Sequence, residues 1–153
     1  ERKSKLSGVY THQVLHRKTP LVRSMDDYVN CPHSRNTEVR LEDILKHPEL
    51  EVLAKSDEAG VLLVLNEYGS GSQVFIQGHP EYDRMTLSNE YHRDVAKGLN
   101  PALPKNYFTD NNPFSRPVLC WRNFSNTLYA NWLNFYVYQN TPYELSNNFD
   151  WVI

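Results

Sequence analysis

The chain has 153 residues, a formal net charge of -2 and 40% apolar residues. That length suits one domain or part of a larger one, and the apolar share is enough for a packed core, which argues against wholesale disorder. The slightly acidic balance leaves no electrostatic footprint for nucleic acid, and no apolar run approaches the about 20 residues of a membrane span.

The first predicted element is a strand over Leu6 to Leu15, where Val9, Thr11, Gln13 and Leu15 alternate with Tyr10, His12 and Val14. Asp27-Tyr28-Val29-Asn30-Cys31 reads as a short second strand that Pro32 ends. Leu41 to Lys46 reads as a short helix stopped by Pro48. Leu50 to Ala54 and Val61 to Asn66 read as further strands. Gly69-Ser70-Gly71 is a turn signal that would join Val61–Asn66 to Val74–Gln77 as a hairpin.

Asp83 to Leu99 is the first long helix expected. Leu87, Tyr91, Val95 and Leu99 draw one apolar stripe, Asp83 or Thr86 can cap the start, and Gly98 with Asn100-Pro101 ends it. Pro101 to Pro117 holds four prolines and little periodicity, so a long loop is expected, and loops of this length are often functional. Arg122 to Gln139 is the second long helix, with Phe124, Leu128, Trp132, Phe135 and Tyr136 on its apolar stripe. That aromatic stripe suits a buried helix or a subunit interface. Strands in the middle with flanking helices indicate α/β organisation without an internal domain boundary.

The N-terminal Glu1-Arg2-Lys3-Ser4-Lys5 lacks the apolar centre of a signal peptide and an initiator methionine. The chain is therefore expected to begin inside a longer gene product. Cys31 and Cys120 are too sparse for a disulfide framework and form no C-x-x-C pair, so both are expected to be reduced, in the cytoplasm, with no structural zinc. His12 and His16 share helical spacing, but their stretch reads as a strand, so no metal site is expected.

The segment richest in chemistry is Gly78-His79-Pro80-Glu81-Tyr82-Asp83, directly behind the strand Gln73–Gln77. In extended chain, residues i and i+2 point to one side, so His79 and Glu81 can act as a base and the group that orients it. Pro80 between them fixes a backbone dihedral. The same triplet recurs as His47-Pro48-Glu49 behind a short helix, where it reads as a helix stop. His79 is thus either a catalytic base or a turn histidine satisfied locally. Arg93, on the following helix, offers a fork that binds a carboxylate, or lies on a solvated helix face. Cys31 beside His33 invites a thiol–imidazole reading, but Pro32 removes a backbone N–H where an oxyanion hole commonly draws a donor. Cys120, next to Trp121, reads as core.

These residues, taken together, resemble the homoserine O-acyltransferases of methionine biosynthesis. The resemblance is carried by Lys5-Leu6-Ser7-Gly8-Val9-Tyr10, Cys31-Pro32-His33-Ser34-Arg35 and Gly78-His79-Pro80-Glu81-Tyr82-Asp83. Asn106-Tyr107-Phe108, Asn131 to Gln139 and Thr141-Pro142-Tyr143 extend it over essentially the whole chain. It implies an α/β, class I glutamine amidotransferase-like (flavodoxin-like) sandwich, of which residues 1–153 are the C-terminal part. It also implies a ping-pong acyl transfer in which a cysteine takes an acyl group from acyl-CoA as a thioester, and the hydroxyl of L-homoserine then attacks it. Acyl-CoA enters as co-substrate, with no cofactor. On this resemblance His79 is the general base, Glu81 orients it, and Lys5, Ser34 and Arg93 bind substrate, with Arg93 suited to the amino-acid carboxylate.

The family's nucleophilic cysteine lies upstream of the Lys-Leu-Ser-Gly motif, so it is not among these residues. The expected partner is therefore the missing N-terminal half, which also carries the oxyanion hole and the residue that chooses between acetyl and succinyl donors. A homodimer is expected as well. Thr11, where the family often has glutamate, and Cys31, where a small residue without a thiol is more usual, depart from the pattern. Some relatives acylate L-serine, which is the alternative acceptor. The remaining alternatives are an inactive fragment that serves as an interaction module, and a self-sufficient enzyme using Cys31.

Overall fold

The computed structural model describes residues 1–67 and 72–139. Its strands are β1 (Leu6–Val14), β2 (Tyr28–Arg35), β3 (Leu50–Ser56), β4 (Gly60–Asn66) and β5 (Gln73–Ile76), and its helices are α1 (Leu41–Ile44), α2 (Thr86–Ala96) and α3 (Arg122–Trp132). The strands form one sheet in the order β2-β1-β3-β4-β5, with every pairing antiparallel. The chain is thus an α/β protein around a five-stranded antiparallel sheet. The strands pair as the hairpin reading requires, from Leu63↔Ile76 to Asn66↔Gln73. The predicted turn at Gly69-Ser70-Gly71 lies outside the described residues, as does Thr141-Pro142-Tyr143.

Period-2 alternation explains β1. Tyr10, His12 and Val14 are buried, while Thr11 and Gln13 between them are exposed. Val9 is buried on the opposite face, against Leu87, Tyr107, Phe108 and Trp121. The larger core lies on the other side, where Val14, Val29, Cys31, Leu53, Leu62 and Leu63 meet Phe124 and Leu128 of α3.

Strand β1 pairs with β3 only at its C-terminal end, through Gln13↔Lys55 and Val14↔Ala54. Its N-terminal half is met instead by the long loop. Val9 N–H donates to the Lys105 carbonyl at 2.8 Å, and Lys105 N–H donates to the Ser7 carbonyl at 3.0 Å. Gly8 makes this approach possible: its φ is +140°, and a β-carbon there would sit 2.4 Å from the Lys105 carbonyl oxygen. The Pro101–Pro117 segment is therefore a packed strap, with Tyr107 and Phe108 buried in the smaller core.

The structure corrects several expectations. Pro32 does not end β2, which continues to Arg35. β2 is an edge strand, and Pro32 opposes Val9, whose polar groups face away toward Lys105 and Asn106, so no ladder bond needs a Pro32 N–H. Helix α2 starts at Thr86 with Met85 as its cap residue, and neither Asp83 nor Thr86 makes a side-chain cap bond. Of its apolar stripe, Leu87 is buried, but Val95 and Leu99 are exposed because only the first turns of the helix reach the smaller core. Helix α3 widens after Trp132 into a π-helical turn over Leu133–Val137. Cys120 is exposed, since Trp121 rather than its neighbour takes the buried position.

Candidate active site

The chain leaving β5 is stitched both to its neighbour β4 and to β2, at the far edge of the sheet order. Gln77 N–H donates to the Leu62 carbonyl of β4, and His79 N–H donates to the Pro32 carbonyl of β2, both at 2.8 Å. The sheet therefore curls until its ends meet beneath His79. Gly78 lies over that seam, and a β-carbon there would sit 2.6 Å from Cys31 Sγ and 2.8 Å from Leu62 Cδ1. Tyr82 N–H then closes a turn onto the His79 carbonyl at 3.1 Å, with Pro80 at its second position.

Within this turn His79 Nδ1 meets Glu81 Oε1 at 2.9 Å, with about a third of the histidine side chain exposed (34%). The imidazole stacks on the Tyr82 ring, centroids 4.3 Å apart and planes within 12°. The second triplet behaves differently: His47 Nδ1 stands 3.4 Å from Glu49 Oε1, with both side chains well exposed.

Helix α2 supplies the next layer. Glu90 accepts the Tyr82 hydroxyl at 2.8 Å through Oε1 and the Ser34 hydroxyl through Oε2. Lys5 Nζ lies 3.5 Å from Glu90 and 3.6 Å from Asp94, one helical turn on. Arg93 donates through Nε and Nη2 to Asp94 at 2.9 and 2.8 Å. A guanidinium has five N–H donors, so Arg93 keeps others for a ligand. Burial opposes ionisation of Glu90, but the bonds from Ser34 and Tyr82 and the Lys5 charge outweigh it and hold the carboxyl below the usual range. The Arg93 bond does the same for Asp94. Burial and the Glu90 acceptor push the Tyr82 phenol up.

A family model described as homoserine O-succinyltransferase matches residues 1–143. The chain belongs to the homoserine O-succinyltransferase family. Similar proteins include the homoserine O-acetyltransferase of Agathobacter rectalis, 57% identical over 141 residues, covering 92% of this chain and 45% of the relative. The homoserine O-acetyltransferase of Lachnospira eligens is 53% identical over 146 residues, covering 95% and 46%. The homoserine O-succinyltransferase of Shewanella is 49% identical over 143 residues, covering 94% and 44%. The chain thus spans about half the length of the curated relatives it matches.

In this member of the homoserine O-succinyltransferase family, the sequence-derived candidates Lys5, Ser34, His79, Glu81 and Arg93 touch one another only at His79–Glu81 and are otherwise bridged into one cluster by three further residues. Glu90, Asp94 and Tyr82 join them, and sequence reasoning gave them no role. Their signal was available in part: Glu90, Arg93 and Asp94 stand at i, i+3 and i+4 on one helix. Cys31 does not join as a nucleophile. It is fully buried, burial pushes its thiol well up, and its Sγ sits 3.5 Å from the Pro32 carbonyl.

A cavity of about 60 Å³ opens beside Lys5, Ser7, Glu90 and Asp94. A much larger hollow of about 830 Å³, between α1 and β3, holds none of the site candidates. Among the described residues no group of three or more His, Cys, Asp or Glu is placed to hold a metal, and no helix is long and apolar enough to cross a membrane.

Proposed function

We propose that this chain carries the base and the acceptor-binding residues of an acyltransferase that moves an acyl group from acyl-CoA to the hydroxyl of L-homoserine. The observation that carries the reading is the His79–Glu81 pair, 2.9 Å apart and part-exposed, set beside Lys5, Ser34 and Arg93. Glu81 accepts the His79 Nδ1 proton, which leaves Nε2 as the proton-transfer atom.

In the first half-reaction Nε2 takes the proton of a cysteine thiol. The thiolate attacks the acyl-CoA carbonyl, and CoA leaves with the proton returned by the imidazolium. In the second, Nε2 takes the homoserine hydroxyl proton as the oxygen attacks the enzyme thioester. The cysteine sulfur leaves and is reprotonated. Buried Cys31 is unsuited to this role, and the family resemblance implies a nucleophilic cysteine upstream of the Lys5-Leu6-Ser7-Gly8 motif. The amino acid's zwitterion suits the site: the Arg93 donors not bonded to Asp94 would take its carboxylate, and Glu90 with Asp94 would favour its ammonium.

The relatives named above specify homoserine, not serine, so homoserine is the acceptor proposed. Names with acetyl and with succinyl both occur at 49–57% identity, so likeness over this segment does not choose the donor. The amidotransferase-like sandwich, homodimer, cytoplasmic location and place in methionine biosynthesis belong to the same proposal. In the full-length enzyme, His79→Ala is expected to lower acyl transfer by at least about 10²-fold. An unchanged rate in a folded protein would sink the assignment.

A further inference from the structure

Tyr82 is held at more points than a helix-leading residue needs. Its N–H reaches the His79 carbonyl at 3.1 Å, and its carbonyl accepts Trp121 Nε1–H at 2.9 Å. Trp121 is itself 1% exposed, so this anchor is part of the core. The ring between these ties lies flat on the imidazole of His79, and the hydroxyl ends on Glu90 at 2.8 Å. One rigid side chain with two rotatable bonds thus spans from the base to the carboxylate that also receives Ser34 and Lys5.

Glu81 fixes where Nδ1 points but leaves the imidazole free to tilt about the axis of that bond. The Tyr82 face removes that freedom. The hydroxyl in turn ties the plane of the stack to α2, which carries Glu90, Arg93 and Asp94. We propose that Tyr82 is a positioning residue that sets the plane of the His79 imidazole relative to the Glu90 carboxylate, and so aligns the base with the bound acceptor. This rests on His79 being the base and adds a residue to that site. It does not touch the reacting atoms. The ring serves both half-reactions because both use Nε2. The hydroxyl serves only the second, because only there is the Glu90 side of the site occupied.

The test uses the full-length enzyme with Tyr82→Phe, Tyr82→Leu and His79→Ala. Acyl-enzyme formation is followed by CoA release without acceptor, and transfer by steady-state turnover with L-homoserine. Tyr82→Phe keeps the ring, so CoA release is expected within about twofold of the parent, while the acceptor KM rises about fivefold, the scale of one lost hydrogen bond. Tyr82→Leu removes the ring, so both half-reactions are expected to slow by about tenfold or more. A purely structural role would lower both variants together and spare neither half-reaction. If His79→Ala abolishes turnover but both Tyr82 variants match the parent, the positioning role is overturned and the base stands. If His79→Ala stays active, the base reading itself fails. Should Tyr82→Leu not fold, Tyr82→Phe decides alone: an unmoved acceptor KM overturns the proposal, and a raised KM with normal CoA release supports it.

Discussion

Gly78 passes so close over Cys31 that a β-carbon at position 78 would stand 2.6 Å from the Cys31 sulfur. The same atom would be 2.8 Å from Leu62 Cδ1. Both neighbours are fully buried and cannot swing away. The glycine therefore sets the height at which the following turn crosses the sheet seam, and His79 is the next residue.

Gly78→Ala is expected to cost about 1–3 kcal/mol, the usual scale of overpacking. It is also expected to lower turnover by lifting His79 away from Pro32. Adding Cys31→Ala removes the nearer obstacle, so the double variant should be less destabilised than the sum of the singles. Denaturant unfolding of the four proteins gives the coupling directly. Strict additivity would mean that the two residues do not press on one another.

Glu90→Gln tests the second layer. The amide keeps the shape but only one acceptor oxygen, so one of the Ser34 and Tyr82 hydroxyls must turn to accept from its NH2, and it removes the charge that faces Lys5. In the full-length enzyme the acceptor KM is expected to rise about tenfold to a hundredfold, the scale of a charged hydrogen bond. CoA release in the first half-reaction should change little. Arg93→Lys should likewise act on the acceptor KM, because it keeps a charge and loses the fork. Variants with normal acceptor KM and slow CoA release would place these residues on the donor side.

The two thiols should separate under native alkylation. Cys120 is exposed and Cys31 is fully buried. Burial raises both thiols, that of Cys31 well above the ordinary value, so labelling at mildly alkaline pH should modify Cys120 first. Peptide mapping by mass spectrometry is expected to find Cys31 modified only after denaturation. Equal labelling would mean that Cys31 is reachable, and would revive it as a nucleophile.

Much of this was legible along the chain, and what was not has a physical cause. The alternation in Leu6–Val14 located its strand, because burial of one strand face leaves a mark at every second residue, and the unbroken apolar run at Val61–Leu65 located a strand buried on both faces. The His79–Glu81 pair was legible because both partners lie within one turn. Ser34 and Glu90 are 56 positions apart, so their bond exists only once β2 and α2 have met. Periodicity also names a face without naming its cover. Leu87 and Val95 share a stripe on α2, yet only Leu87 reaches Tyr107 and Trp121. Pro32 misled because a proline breaks a ladder only where its N–H is needed, and that depends on strand order and register.

His12 and His33 make the last prediction. Their Nε2 atoms are 3.1 Å apart, their rings stack at 5.0 Å, and both are fully buried. Arg35 Nε lies 3.4 Å from His33 Nδ1, and Tyr10 stands edge-on to the His33 ring. With a guanidinium donor at Nδ1, His33 carries its proton on Nε2 and donates it to His12. Protonating His12 would set two N–H groups against each other in the core. Burial, aided by the partner imidazole and Arg35, brings His33 down to about 3, and burial brings His12 to about 4. The unfolded chain takes up these protons near about 6.5. Stability from the pair is therefore complete above that pH and is lost as pH falls toward about 4, at up to about 1.4 kcal/mol per pH unit for each histidine. Denaturant midpoints of the parent should fall between pH 7 and 5. His12→Gln should be less stable at pH 7, since its packing is altered, but its midpoint should fall less steeply over that range. A variant with the parent's slope would place the acid sensitivity elsewhere.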